Sequence, residues 1–277
     1  MKRIIASALA GLGLLACSSD EGTDGTGTVA FTTWGEEYIE QEIPASEFAD
    51  GWTVKYTKFL VVLSDIEVAS GGTVGAKSDQ QQVFDMVAPG VKPVFTQQLG
   101  AKNWETVNYR IGPATAAAVA GPGLAAADKD KMVAGGFSLY VEGTGSKGGV
   151  VKRFAWGFDQ DTTYKNCKGE VAGAEQSGAI VTNGGTDTIQ LTIHGDHMFY
   201  DDLASADAKL RFVNVADADA NDDGEVTLDE LAAVERADLK EGTYQVGGFS
   251  NVFTYKDFVT ELSRTVGHFR GEGECEL

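Results

Sequence analysis

Histidine, cysteine and basic side chains are all scarce in this sequence. Three histidines, three cysteines and 22 lysines plus arginines stand beside 41 aspartates plus glutamates, for a formal net charge of −19. Such a balance repels phosphate backbones and attracts cations, which excludes nucleic-acid binding. Enzyme signatures are missing as well: the chain has no G-x-S-x-G elbow, H-E-x-x-H pair or P-loop, and its glycine runs read as turn chemistry too irregular to cradle phosphate. No catalytic residue is assigned, and enzymatic activity is not the expectation. The apolar segment Ile4 to Leu15 is too short to cross a bilayer. The chain has no internal repeat.

Lys2 and Arg3 precede that short apolar segment, so residues 1–16 read as a signal peptide. Leu14-Leu15-Ala16-Cys17 resembles the lipobox of bacterial lipoproteins. The resemblance implies cleavage before Cys17 and lipid attachment to it. Ser18, where an aspartate would signal inner-membrane retention, implies the outer membrane, on its periplasmic or surface face. The expected partner is therefore the lipid bilayer, held through several acyl chains. Residues 17–28 are polar and glycine-rich and read as a flexible tether. Loss of residues 1–16 removes two positive charges and no negative ones, so −19 becomes −21.

Cys167 and Cys275 remain, an even pair in an oxidising compartment, and a disulfide is the default. It would close a loop of about a hundred residues and stabilise by roughly 4–5 kcal/mol in the chain-entropy model. The sharper alternative, a cysteine nucleophile or zinc–thiolate site, has no supporting neighbours.

Residues 219–230 read D-A-N-D-D-G-E-V-T-L-D-E. Asp219, Asn221 and Asp223 fall at positions one, three and five of a twelve-residue calcium loop, and Gly224 takes the sharp turn at six. Glu225 would offer its carbonyl, Thr227 a water-mediated contact and Glu230 a bidentate carboxylate. The segment resembles the EF-hand family, in which Val226 and Leu231 would pair loops and start the exiting helix. The preceding residues 215–218 lack the large apolar positions of a packed entering helix, and no second loop exists. We therefore expect a structural Ca²⁺ site with a dissociation constant on the order of 10⁻⁴–10⁻³ M. The bland alternative is an acidic surface turn.

Strands are expected at Val29–Trp34, Trp52–Val68 (one bent strand or two), Val83–Val87, Trp104–Ile111, Phe137–Glu142, Val150–Phe158 and Thr188–Phe199. In the second, Trp52, Val54, Tyr56, Leu60 and Val62 should share one face, with Phe59, Val61 and Leu63 opposite. Glycine-rich turns at 143–149 and 183–185 join strands. Helices are expected at Leu124–Val133, Ala204–Val215, Leu228–Leu239 and Thr254–Val266, the last capped by Thr254 with Asp257. The pattern predicts a mainly β chain: a β-sandwich over 29–200 and a helical extension, 201–277, containing the EF-hand-like loop.

Two of the three histidines fall within four residues, His194 and His197, at the end of a strand. Gly195 invites a bulge that would re-aim Asp196 and His197. His268, near the end of the last predicted helix, would reach them if the disulfide draws the tail inward. Three neutral imidazoles suit copper or zinc, with Asp196, Glu36 or Glu37 as a further ligand or support. Unrelated histidines at strand and helix ends are the plainer reading.

Three segments follow in order: Lys58 to Val68 (KFLVVLSDIEV), Val83 to Val87 (VFDMV) and Val107 to Pro113 (VNYRIGP). This order resembles the methanobactin-associated periplasmic copper protein family. The resemblance implies an immunoglobulin-like β-sandwich and copper held by histidines and a modified tryptophan. That family's tryptophan-rich segment is missing here, and Trp34, Trp52, Trp104 and Trp156 are expected in the core or at interfaces. Three function classes follow: a lipoprotein braced by calcium and carrying a second metal, a carbohydrate- or protein-binding surface module with purely structural metal, or a metal-dependent hydrolase.

Overall fold

Residues 25–277 are described by the computed structural model; the expected signal peptide, Cys17 and most of the tether lie outside the described residues. Strand makes up 47% and helix 15%, so the expectation of a mainly β chain holds. The organising element is the 18-residue strand Thr53–Ser70. Its stretch from Phe59 to Leu63 is fully buried on both faces, as a run of β-branched and aromatic residues in a central strand should be.

The expected single phase along this strand is wrong. Pairing with the strand Leu139–Lys147 slips between Tyr56 and Lys58, and an extra residue there inverts the alternation. Trp52, Val54 and Tyr56 therefore share a core with Phe59, Val61 and Leu63. Leu60 and Val62 face the other way, into a small second core with Val83, Tyr140 and Met132 of the helix Ala126–Gly135. That helix explains why both faces had to be apolar.

Around the long strand a curled sheet runs in the order Ala174–Ser177, Thr162–Val171, Thr106–Ile111, Thr53–Ser70, Leu139–Lys147, Val150–Phe158 and Glu225–Val226. A four-stranded sheet runs Gly267–Phe269, Thr186–Ile193, Thr26–Gly35 and Lys92–Gly100. Its inward residues Val29, Phe31, Ile189, Leu191 and Ile193 join Phe154, Trp156 and Phe212 in the main core. The site described below lies where this smaller sheet ends.

Several expected elements shift. Trp104–Ile111 breaks into Lys102–Trp104 and Thr106–Ile111, because the first piece pairs instead with Ala179–Val181. Thr188–Phe199 ends as a strand at Ile193 and closes with a 3₁₀ turn over Asp196–Phe199. The hairpin at 143–149 is tighter than expected, with Lys147 paired to Val150 across two glycines of positive φ. Thr162–Val171 shows no clean alternation in sequence, because the chain changes phase at Asn166 (φ +49°) between the buried Tyr164 and Cys167.

The region 201–277 is less helical than expected. Of Ala204–Val215 only the end is helical, in Val213–Asp217, since the Lys209 carbonyl and the Arg211 N–H bond to the backbone of Asp201 and Phe199 instead. Leu228–Leu239 shrinks to Leu228–Ala232 and a short 3₁₀ turn. The final helix, Tyr255–Leu262, has its Thr254–Asp257 capping box as expected but stops before Val266.

Candidate metal centre

Each histidine is delivered by a different piece of backbone. His194 follows the last residue of Thr186–Ile193, and its N–H donates to the Val266 carbonyl at 2.9 Å. His197 sits in the 3₁₀ turn Asp196–Phe199. His268 lies on Gly267–Phe269, directly across from Thr192. The expectation that His268 lies near a helix end and is drawn in by the disulfide gives way to a strand residue brought alongside by sheet pairing. The Cys167–Cys275 disulfide is present, and the tail strand Glu274–Glu276 pairs with Thr162–Val171.

Gly195 makes a turn rather than the expected bulge, with ordinary negative φ. Its role is steric. A Cβ there would meet Ile39 Cγ1 at 2.5 Å and Tyr56 Cε2 at 3.0 Å. Tyr56 O–H donates to the Gly195 carbonyl (2.6 Å), and the Gly195 N–H donates to Glu36 Oε1 (3.1 Å). The chain between the first two histidines is therefore clamped on both its polar groups.

Ring centroids lie 4.2 Å apart for His194–His268, 4.8 Å for His197–His268 and 5.5 Å for His194–His197. One nitrogen from each ring lies within 4.8 Å of the other two. Around a tetrahedral ion with bonds of about 2.1 Å, ligand nitrogens sit about 3.4 Å apart. The rings need close by no more than about 1.4 Å, a matter of side-chain torsion.

Hydrogen bonding orients the rings. Thr265 Oγ1 donates to the Leu262 carbonyl (2.9 Å), so it can only accept from His197 Nδ1–H (3.0 Å). That logic assigns the tautomer and leaves Nε2 of His197 as a free lone pair. His268 Nδ1 is buried with no partner at all, a costly condition for a polar atom unless something binds it. Burial pushes the His197 pKa down to about 3, against the opposing pull of Asp196, and lowers that of His268. Both rings are neutral near pH 7, the form that ligates metal.

Acidic groups flank one side. Glu36 Oε2 lies 3.6 Å from His194 Nδ1, and Asp196 is buried, accepting from Tyr200 O–H at 2.8 Å. Burial, then the charge of Asp196, raises the Glu36 pKa to about 8. Glu37 is exposed and takes no part. A cavity of about 360 Å³ opens onto the centre, lined by Glu36, Tyr38, His194, Asp196, Tyr200 and Glu272. Tyr200, Thr265 and Glu272 escaped the sequence; only spatial proximity marks them.

The acidic loop is ordered by its own side chains. Asp219 has no exposed side-chain surface and accepts from the N–H groups of Asp223 (3.2 Å) and Gly224 (2.9 Å). Asn221 Oδ1 accepts from Asp223 N–H, and Asp223 Oδ1 from Glu225 N–H. Gly224 has φ +78°, the turn a Cβ would hinder. Thr227 and Glu230 form a capping box, while Glu230 Oε1 is buried without a partner. Lys152 Nζ lies 2.7 Å from Asp219 Oδ2 and holds that carboxyl below its usual range. Val226 and Leu231 are buried, and the Val226 carbonyl accepts from Trp156 Nε1. The loop carboxylates are not among the described groups of three whose ligand atoms lie within 4.8 Å.

The tryptophans sit apart from the histidines. Trp52, Trp104 and Trp156 are buried core residues, and the Trp34 indole donates to Glu40. A larger groove of about 880 Å³, lined by Lys168, Glu170, Arg270 and Glu274, lies along the tail. Comparison with protein-family models, curated proteins and solved structures finds no match to this chain.

Proposed function

We propose that this protein binds a transition metal, copper or zinc, through His194, His197 and His268. The observation that carries the reading is the convergence of three imidazoles, one of them the His268 ring with its buried, unpartnered Nδ1, in a chain with only three histidines. Neutral nitrogens with a hydrogen-bonded second shell are the donor set these ions prefer. We read the two sheets as layers of an immunoglobulin-like β-sandwich, supported by the single core that spans both.

The same proposal includes a structural Ca²⁺ at Asp219, Asn221, Asp223, Glu225, Thr227 and Glu230, and lipid attachment at Cys17 that would tether the protein to the outer membrane. Support for the first is the ligand spacing, the positive φ of Gly224 and the unpartnered Glu230 oxygen. Support for the second is the sequence 14–17. A carbohydrate-binding module would present rings on a sheet face. Among the described residues the only exposed aromatics, Phe249 and Phe253, lie in a loop. Elemental analysis of protein purified without added metal should find copper or zinc that departs on His268→Ala. Equal metal content in wild type and variant would sink the proposal.

A further inference from the structure

His194 belongs to two convergent groups. In one it meets His197 and His268, and in the other carboxylate oxygens of Glu36 and Asp196 lie within 4.8 Å of it. Its Nδ1 faces Glu36 Oε2 at 3.6 Å, while its Nε2 lies 3.4 Å from the Gly271 carbonyl. A separation of 3.6 Å is too long for a hydrogen bond. It is close to the roughly 3.4 Å that separates two ligand atoms on one tetrahedral ion.

The carboxylates themselves are incompletely satisfied. Asp196 is 8% exposed; its Oδ2 takes the Tyr200 proton, but its Oδ1 is buried and has no partner. Glu36 spends Oε1 on the Gly195 N–H and turns Oε2 toward His194. Among the described residues neither carboxyl is ion-paired to a lysine or arginine; the one charged-group contact is Glu36 with His194. A buried carboxylate oxygen without a partner, beside a second carboxyl and no lysine or arginine, is costly, and a divalent ion relieves that cost.

We propose that Glu36, Asp196 and Nδ1 of His194 form a second divalent-metal position, joined to the three-histidine position through the His194 ring, which releases its N–H proton to solvent and bridges as imidazolate once Nε2 leaves the Gly271 carbonyl. This deepens the metal-binding reading above and rests on it. The second position mixes one nitrogen with carboxylate oxygens, which suits Zn²⁺ better than the soft monovalent ion that thiolates and thioethers select. It opens on the cavity lined by Tyr38, Tyr200 and Glu272, so added ligands can reach it from solvent.

The test counts zinc bound at saturation in the Asp219→Ala protein, whose acidic loop no longer competes. Two ions per chain are expected, falling to one when Glu36→Gln or Asp196→Asn is added. In the same protein a second equivalent of Cu²⁺ should quench, not double, the paramagnetic signal of the first, because a shared ring couples the two spins. One zinc that disappears with His268→Ala would overturn the second position and leave the three-histidine site standing. No bound zinc would overturn both. Two ions that persist in both carboxylate variants, or additive copper signals, would remove Glu36, Asp196 or the shared ring from the assignment.

Discussion

Thr265 has no chemistry of its own to offer a metal, yet it decides which nitrogen of His197 is free. Removing that acceptor with Thr265→Val should weaken zinc binding by about 10- to 100-fold, the usual effect of losing an outer-shell partner. Competition against a chromophoric chelator would measure it, and an unchanged affinity would mean the tautomer is set elsewhere. Acid should act through the same rings. Burial holds His197 near a pKa of about 3 in the fold, against about 6.5 in an unfolded chain. Between those values the unfolded chain binds the extra proton, so the contribution to stability falls as pH drops through this window. The melting temperature of metal-free protein should decline from pH 6.5 toward 3, with a shallower slope in His197→Gln.

At the scale of elements, the centre depends on a strand end, a tight turn and a short returning strand meeting at one place. Gly195 is the hinge of that arrangement, since its Cα approaches Ile39 too closely for any side chain. Gly195→Ala should cost about 1–3 kcal/mol, as overpacking of a filled core does, and should lower zinc affinity by shifting both flanking histidines. Denaturant unfolding and zinc titration would read the two effects separately. A variant as stable and as tight as wild type would mean the turn has slack. The long strand Thr53–Ser70 makes a related point: one extra residue near Tyr56 moved half its side chains to the main core.

Across the whole molecule, two distant ties hold the last third in place. The Cys167–Cys275 bond spans 108 residues and fixes the tail a few residues beyond His268. Its removal by Cys275→Ser should cost about 2–5 kcal/mol and loosen the metal centre, measured as a parallel loss in melting temperature and zinc affinity. The acidic loop is tied to the edge of the large sheet through Val226, Trp156 and Lys152. Chelating calcium should lower the melting temperature, and Asp219→Ala should abolish that response. A chelator effect of equal size in the variant would rule out the loop as the source.

Composition and local pattern alone determined the β character, the Thr254 cap, the pairing of the two cysteines and the choice of three histidines as a group. Each of these follows from neighbours a few residues apart or from simple scarcity. The tertiary structure alone decided that His268 is a strand residue, that Thr265 orients His197 across 68 positions and that Tyr56 locks Gly195 across 139. It also decided where the long strand changes phase. Those outcomes depend on sheet register and on contacts between remote segments, and neither quantity is written in any local window of the chain.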